Sequence, residues 1–276
     1  MLYFGLILFF ILGTAVGSFL NVVAYRSVHG GSVFFDHSAC PHCKKRLKPP
    51  DLIPIASYLF LRGRCRYCGK KISLQYPLVE LITGLLFVLT FNVWVNTFPI
   101  LDTRYQILDT FNLLYLLFVV SVLIVLFTTD IIDGLLPNSI VLPAIVIVAI
   151  YKFLLTLFPV FPLSLFSTLL TDLVASFLVA SGFFAIVYFS GERALGGGDV
   201  KLAFFIALAV GWPSLLVALF SGFLTGGLAS VMLILAGRRR FGQTVPLGPF
   251  LAIGAFVALF YGDQIIQWYL GILSGA

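Results

Sequence analysis

Two aspartates and four cysteines are the residues whose types and spacing point to chemistry. Asp130 stands in Thr128-Thr129-Asp130-Ile131-Ile132-Asp133-Gly134-Leu135-Leu136-Pro137, and Asp199 closes Gly196-Gly197-Gly198-Asp199, a GxGD sequence. Both are set where an apolar segment meets a basic-flanked loop, in a chain that is only 10% charged. An ionisable group at membrane depth is expensive enough to imply a function. Two carboxyls that share one proton can hydrolyse a peptide bond, one activating water while the other protonates the scissile carbonyl. Gly196, Gly197 and Gly198 form a supporting loop, because glycine lets backbone and substrate approach closely. Asp133, three residues after Asp130, competes for the role but reads as a turn aspartate bonding its own backbone.

The cysteines form two CxxC knuckles, Cys40-Pro41-His42-Cys43 and Cys65-Arg66-Tyr67-Cys68. Four thiolates so spaced suit tetrahedral zinc, with His42 a spectator to a shell already complete. Paired disulfides and a redox CxxC are the competing readings. The first needs an oxidising compartment and the second a βαβ context. A closed four-sulfur shell leaves no open position for water, so the zinc is structural. It holds together an insert too small to keep a core of its own.

The elements that position these groups follow from hydropathy. The chain has 276 residues, 61% of them hydrophobic, with mean hydropathy +1.10. So much apolar surface predicts an all-α polytopic membrane protein. Eight spans are expected, near 2–24, 78–99, 111–129, 139–158, 170–190, 199–211, 214–236 and 246–262. Three parts result: a first transmembrane helix over 1–25, a cysteine insert over 26–77 and a transmembrane core over 78–276. The stretch 263–276 is expected at the interface. The N-terminus, without a charged n-region, reads as a first span and not as a removable signal.

Charge sets the orientation. If the insert is cytoplasmic, only Arg104 and Lys152 of the 17 lysines and arginines fall on the opposite side. The positive-inside rule then places the insert and both aspartates in the cytoplasm and both termini outside. Basic residues in loops beside spans, with no single extended face, argue against nucleic acid. Span six, Val200 to Gly211, is short of a bilayer. Either Asp199 begins below the surface, which the glycine run favours, or the Trp212-Pro213 turn dips in from the other side.

The ordered motifs resemble a known family. They are Gly17-Ser18-Phe19-Leu20-Asn21-Val22, the two knuckles with Leu52-Ile53-Pro54 and Leu61-Arg62-Gly63-Arg64-Cys65, Tyr76-Pro77-Leu78-Val79-Glu80-Leu81, the Asp130 segment, Gly196 to Leu202, and Val245-Pro246-Leu247-Gly248-Pro249-Phe250. In this order the chain resembles the type IV prepilin peptidases of pilus, type II secretion and competence systems. The resemblance implies a multi-pass aspartyl protease of the bacterial inner membrane. Such an enzyme removes the basic leader of prepilins or pseudopilins at the cytoplasmic face. It also implies N-methylation of the new N-terminus with S-adenosylmethionine, for which Gly63, Arg64 and Glu80 are the candidates. Asp130 and Asp199 take the catalytic positions. The chain departs from the pattern at Asn138, where an acid is usual, and at Ala207, where glycine is frequent.

Helix ends suggest how the acids divide the work: Asp130 at a C-terminal end carries the proton, and Asp199 at an N-terminal end is the base. Glu80 is expected to pair with an insert arginine or to serve methyl transfer. Asn21 is expected to bond between helices, Lys201 to reach lipid headgroups, and Arg238 to Arg240 to anchor topology. Two other functions use the same residues. One is a GxGD intramembrane protease for other substrates, though Thr129 precedes Asp130 where a tyrosine would be expected. The other is a proton- or cation-coupled transporter, whose site would lie near the midplane between repeated halves. No such repeat is present.

Overall fold

Long runs of leucine, valine, isoleucine and phenylalanine leave backbone groups in lipid no partners but one another, and the helix satisfies them all within one segment. The computed structural model describes residues 2–33, 37–97, 106–157, 164–192, 195–237 and 246–274. Among them the α-helices are α1 (Leu2–His29), α2 (Ala56–Phe60), α3 (Gln75–Thr97), α4 (Gln106–Asp133), α5 (Asn138–Leu157), α6 (Ser164–Ser190), α7 (Gly197–Val210), α8 (Ser214–Leu235) and α9 (Gly248–Ser274). Seven are long and apolar enough to cross a membrane, and α7, with 14 residues, is the short eighth. The protein is an all-helical, multi-pass membrane protein. Arg104, Arg193 and Arg238 to Arg240, which weigh in the charge argument, lie outside the described residues.

The chain divides into two compact units, Met1–Thr128 and Thr129–Ala276. In the first, α1 and α3 pack along small residues. A Cβ built on Gly13 would stand 2.8 Å from the Gly84 backbone, and one on Gly17 would stand 2.8 Å from that of Glu80. This Gly-x-x-x-Gly spacing brings the helices close enough for Asn21 Nδ2 to donate to the Tyr76 carbonyl at 3.1 Å. The expected helix-to-helix role of Asn21 is therefore met.

In the second unit, α7 lies among α5, α6, α8 and α9. Leu202, Ala203, Phe205, Ile206, Ala207 and Leu208 are all buried, which makes α7 the core of this unit. Small residues also join α8 to α9. A Cβ on Gly254 would run into the Ala218 carbonyl, and one on Gly222 would meet the Leu251 backbone at 3.2 Å.

Two boundaries differ from the sequence expectation. The stretch 263–276 is not a separate interfacial segment, because α9 continues to Ser274. Nothing breaks the helix there, and Ser214 Oγ donates to Asp263 Oδ1 at 3.0 Å. Likewise α4 runs to Asp133 and stops at Gly134, whose φ of 63° ends the helix. Asp130 thus sits a turn inside the helix, and Asp133 is its last residue, not part of a loop.

The shortness of α7 originates at its Trp212 end. At the other end its first turns run level with the start of α5, where Lys201 Nζ donates to Asn138 Oδ1 at 2.8 Å. After α7, the Trp212 N–H donates to Asp172 Oδ1 at 2.7 Å, and Asp172 also pairs with Lys152. Lys152 lies about 7 Å inside the end of α5, and Asp172 about 12 Å inside the start of α6, at 1.5 Å of rise per residue. The turn after α7 dips between its neighbours, and the buried ion pair satisfies the backbone exposed there.

Candidate active site and cysteine cluster

Asp130 and Asp199 both belong to the unit Thr129–Ala276. Asp130 is 6% exposed, and its buried carboxyl has the backbone N–H of Gly248 as a neighbour. The space it occupies exists because residue 248 is glycine. A Cβ there would collide with Asp130 Oδ2 and stand 3.4 Å from Leu202 Cδ2. Leu202 follows Asp199 by three residues and Ala203 by four, so one face of α7 carries the acid and the buried residues packed inward. Asp199 lies within electrostatic reach of Asp130. Two carboxyls 69 positions apart in the chain thus lie within one another's electrostatic influence.

The Asp199 segment is held on two sides. Asp199 is the third residue of α7, and its Oδ2 accepts the Gly196 N–H at 3.0 Å, closing the first turn. A negative charge at this end of a helix is favoured. Gly198 and Lys201, on a neighbouring face, meet the segment that follows Asp130. A Cβ on Gly198 would lie 3.2 Å from Leu136 Cβ, and Lys201 bonds Asn138. Lys201 thus bonds a neighbouring segment, where the sequence expectation had it reach lipid headgroups. It fastens the GxGD turn to the start of α5.

The four cysteine sulfurs lie within 4.8 Å of one another, and Cys40 Sγ to Cys68 Sγ is 3.9 Å. Tetrahedral zinc with bonds of about 2.3 Å places its sulfurs about 3.8 Å apart, so the set fits the ion. The two knuckles have the same local build. The first residue of each donates across its turn, Cys40 N–H to the Lys45 carbonyl and Cys65 N–H to the Lys70 carbonyl. Antiparallel bridges flank them at Ala39 and Arg46 and at Arg64 and Lys71. Although the Lys70 N–H favours its thiolate, desolvation and the neighbouring sulfurs push the Cys68 thiol up to about 11. A bound divalent cation reverses that cost. Lys45 lies 4.8 Å over the Tyr67 ring, and the Tyr67 hydroxyl donates to Asp51 at 3.0 Å, linking the knuckles without metal.

The three methyl-transfer candidates flank α2. Glu80 Oε2 accepts the N–H of Ile55, the residue before α2, at 2.7 Å. The carboxylate is therefore taken by backbone and not by an insert arginine, the pairing weighed from sequence. Ile55 adopts φ 60°, a costly conformation for a β-branched residue. Beyond α2, Gly63 has φ 67° and a Cβ there would strike the Tyr58 hydroxyl at 2.8 Å. Arg64 is exposed and precedes Cys65. His42 is exposed and outside the sulfur set, as expected.

With this geometry described, similarity to known proteins identifies the family. Residues 11–94 match the Bacterial Peptidase A24 N-terminal domain, and residues 117–231 match the Type IV leader peptidase family. A prepilin leader peptidase/N-methyltransferase of Bacillus subtilis (strain 168) is 32% identical over 269 residues, spanning 96% of this chain and 98% of that protein. The chain belongs to the type IV leader peptidase family. Similar proteins of the same description occur in Aeromonas hydrophila, 31% identical over 98% of this chain and 94% of that protein, and in Pectobacterium carotovorum subsp. carotovorum, 33% identical over 88% of each. No solved structure matches the chain. The leader peptidase is thus an enzyme of the membrane, as the sequence motifs implied.

Sequence reasoning missed three groups. Gly248 was visible only as part of a motif, with no sign that it borders Asp130. Lys152 and Asp172 were each visible as ionisable residues within predicted spans, and their pairing was not. Asn138 stood out only as a departure from the family pattern.

Proposed function

We propose that Asp130 and Asp199 are the catalytic dyad of this leader peptidase. They would cut the basic leader from prepilins or pseudopilins at the cytoplasmic face of the bacterial inner membrane. The observation that supports this reading is the buried carboxyl of Asp130, bordered by Gly248 and within electrostatic reach of Asp199. A carboxylate oxygen so buried is costly, whereas a protonated carboxyl has a hydrogen to donate to a substrate carbonyl. Asp199 accepts a backbone N–H and lies at a helix N-terminus, both favouring its charged form. Asp199 is accordingly the base and Asp130 the acid.

Asp199 takes a proton from water as the oxygen attacks the scissile carbonyl carbon, and Asp130 gives its proton to the carbonyl oxygen. Asp199 then passes its proton to the leaving amine, the C–N bond breaks, and Asp130 recovers a proton from the collapsing hydroxyl. The net change is one water consumed, with the dyad restored. Gly196, Gly197 and Gly198 leave room for the substrate backbone at this turn.

The insert, residues 26–77, completes the proposal. Cys40, Cys43, Cys65 and Cys68 hold structural zinc, and Gly63, Arg64 and Glu80 around α2 serve methyl transfer from S-adenosylmethionine to the new N-terminal amine. Residues 1–25 and 78–276 form the first transmembrane helix and the peptidase core. The insert and both acids face the cytoplasm, and the termini face outward.

The test is cleavage of a prepilin by the purified protein in detergent, with products measured by mass. Wild type releases the leader, and added S-adenosylmethionine raises the product mass by one methyl. Asp130→Asn and Asp199→Asn each reduce cleavage by at least about 10²-fold, the usual contribution of an acid or base. Full activity in either variant rejects the dyad. Infrared titration of the two variants tests the division of roles, because the proton-bearing carboxyl disappears in Asp130→Asn.

A further inference from the structure

The cysteine insert carries an exposed apolar surface. Leu59 and Phe60, which end α2, are 68% and 86% exposed, and Leu52, Ile53 and Leu74 are exposed as well. In a water-facing loop such a group is a liability and marks a binding surface. Arg62 and Arg64 follow Phe60 by two and four residues, and the Arg64–Lys71 bridge sets Lys71 beside them, so exposed cations border the apolar tip.

The position of α2 shows what covers this surface. The Ile55 N–H bond to Glu80 pins the entry of α2 to the sixth residue of α3. That is about 7 Å along a helix long and apolar enough to cross a membrane. At the same level α3 turns Leu78, Leu81 and Ile82 outward. The insert is thus tied to α3 where that helix first turns large apolar side chains outward, and α2 leaves from that point. Large apolar side chains beside a cationic rim are the composition of an interfacial anchor. A basic leader peptide, by contrast, would be repelled by these cations.

We propose that α2 and its flanks dock on the bilayer, with Leu59 and Phe60 in the headgroup–acyl boundary around α3 and Arg62 and Lys71 against anionic headgroups. The strained Ile55 is part of this device, because its turn directs α2 along the membrane surface. Docking holds Gly63, Arg64 and the cysteine cluster at the height where a membrane-anchored substrate presents its chain. The inference depends on α3 crossing the membrane and not on the acid pair.

The full-length protein carrying Phe60→Trp, reconstituted in phosphatidylcholine–phosphatidylglycerol vesicles, tests it against wild type, whose Trp94, Trp212 and Trp268 provide the background. The added emission should be blue-shifted, quenched by lipids brominated near the carbonyl end of the acyl chain and insensitive to aqueous iodide. Phosphatidylcholine alone, or high salt, should raise iodide quenching. Leu59→Trp gives a second probe, and retained prepilin cleavage confirms that the protein is folded. Red-shifted, iodide-quenched emission from both probes would overturn the proposal. Protection that arises only when prepilin is added would also overturn it, assigning the surface to substrate. Indifference to lipid charge would remove the role of the cations.

Discussion

Asp130 depends on a neighbour with no side chain. Gly248→Ala inserts a methyl group where Asp130 Oδ2 lies, and the carboxyl must move. Because misplacement of a reacting group is costly, turnover is expected to fall by more than about tenfold while the protein still elutes as a folded particle. Lys201 acts from the other side. Lys201→Met frees the GxGD turn from Asn138, and prepilin turnover is expected to drop about 10-fold to 100-fold with little change in KM. Asn138→Asp provides Lys201 with an ion pair and should keep the turnover that Asn138→Leu loses. In the insert, burial works against the charged form of Asp51. The Lys48 N–H, the Tyr67 hydroxyl and Arg66 outweigh it and hold its carboxyl below the usual range. A carboxyl depressed on folding stabilises above its unfolded value, and that contribution is lost as pH falls through the lower folded value. Asp51→Asn should therefore weaken the insert at neutral pH and lose its effect in acid, as read by proteolysis between residues 37 and 74.

At the scale of elements, the dipping turn after α7 rests on one buried ion pair. Asp172→Ala leaves Lys152 charged without a partner and the Trp212 N–H without an acceptor. The expected loss is about 3–5 kcal/mol, seen as a lower unfolding midpoint in detergent. Replacing both partners together, Lys152→Met with Asp172→Leu, should cost less than the single change, since no lone charge remains. The shortness of α7 was legible in the sequence, but which end was short was not. Hydropathy counts apolar residues along one segment, whereas the answer lay in polar groups supplied by α5 and α6. The same limit explains Lys201: its place at a span end suggested lipid headgroups, and its contact came from a residue 63 positions away.

At the scale of the whole molecule, the cysteine cluster and the acids belong to different units. Both acids lie in the unit Thr129–Ala276 and all four cysteines in the unit Met1–Thr128. Chelation is expected to release zinc and open the insert to protease, because four thiols packed together need a cation to hold them. Leader cleavage should outlast methyl transfer under this treatment, and mass analysis of the two products measures both.

Local chemistry was enough to establish much of this protein in advance. Unbroken apolar runs call for helices in lipid, and two CxxC pairs call for four sulfurs at one place. These conclusions need only near neighbours in the chain, and the all-helical membrane fold and the cysteine cluster matched them. Tertiary structure decided the rest, because each remaining answer is a contact between remote segments. It determined that Gly248 makes the space for Asp130, that Glu80 bonds the Ile55 backbone, that Lys201 grips Asn138, and that α7 stops short against Lys152 and Asp172. A hydrogen bond or a collision depends on which helices come within a few ångströms, and no periodicity within one segment encodes its partner.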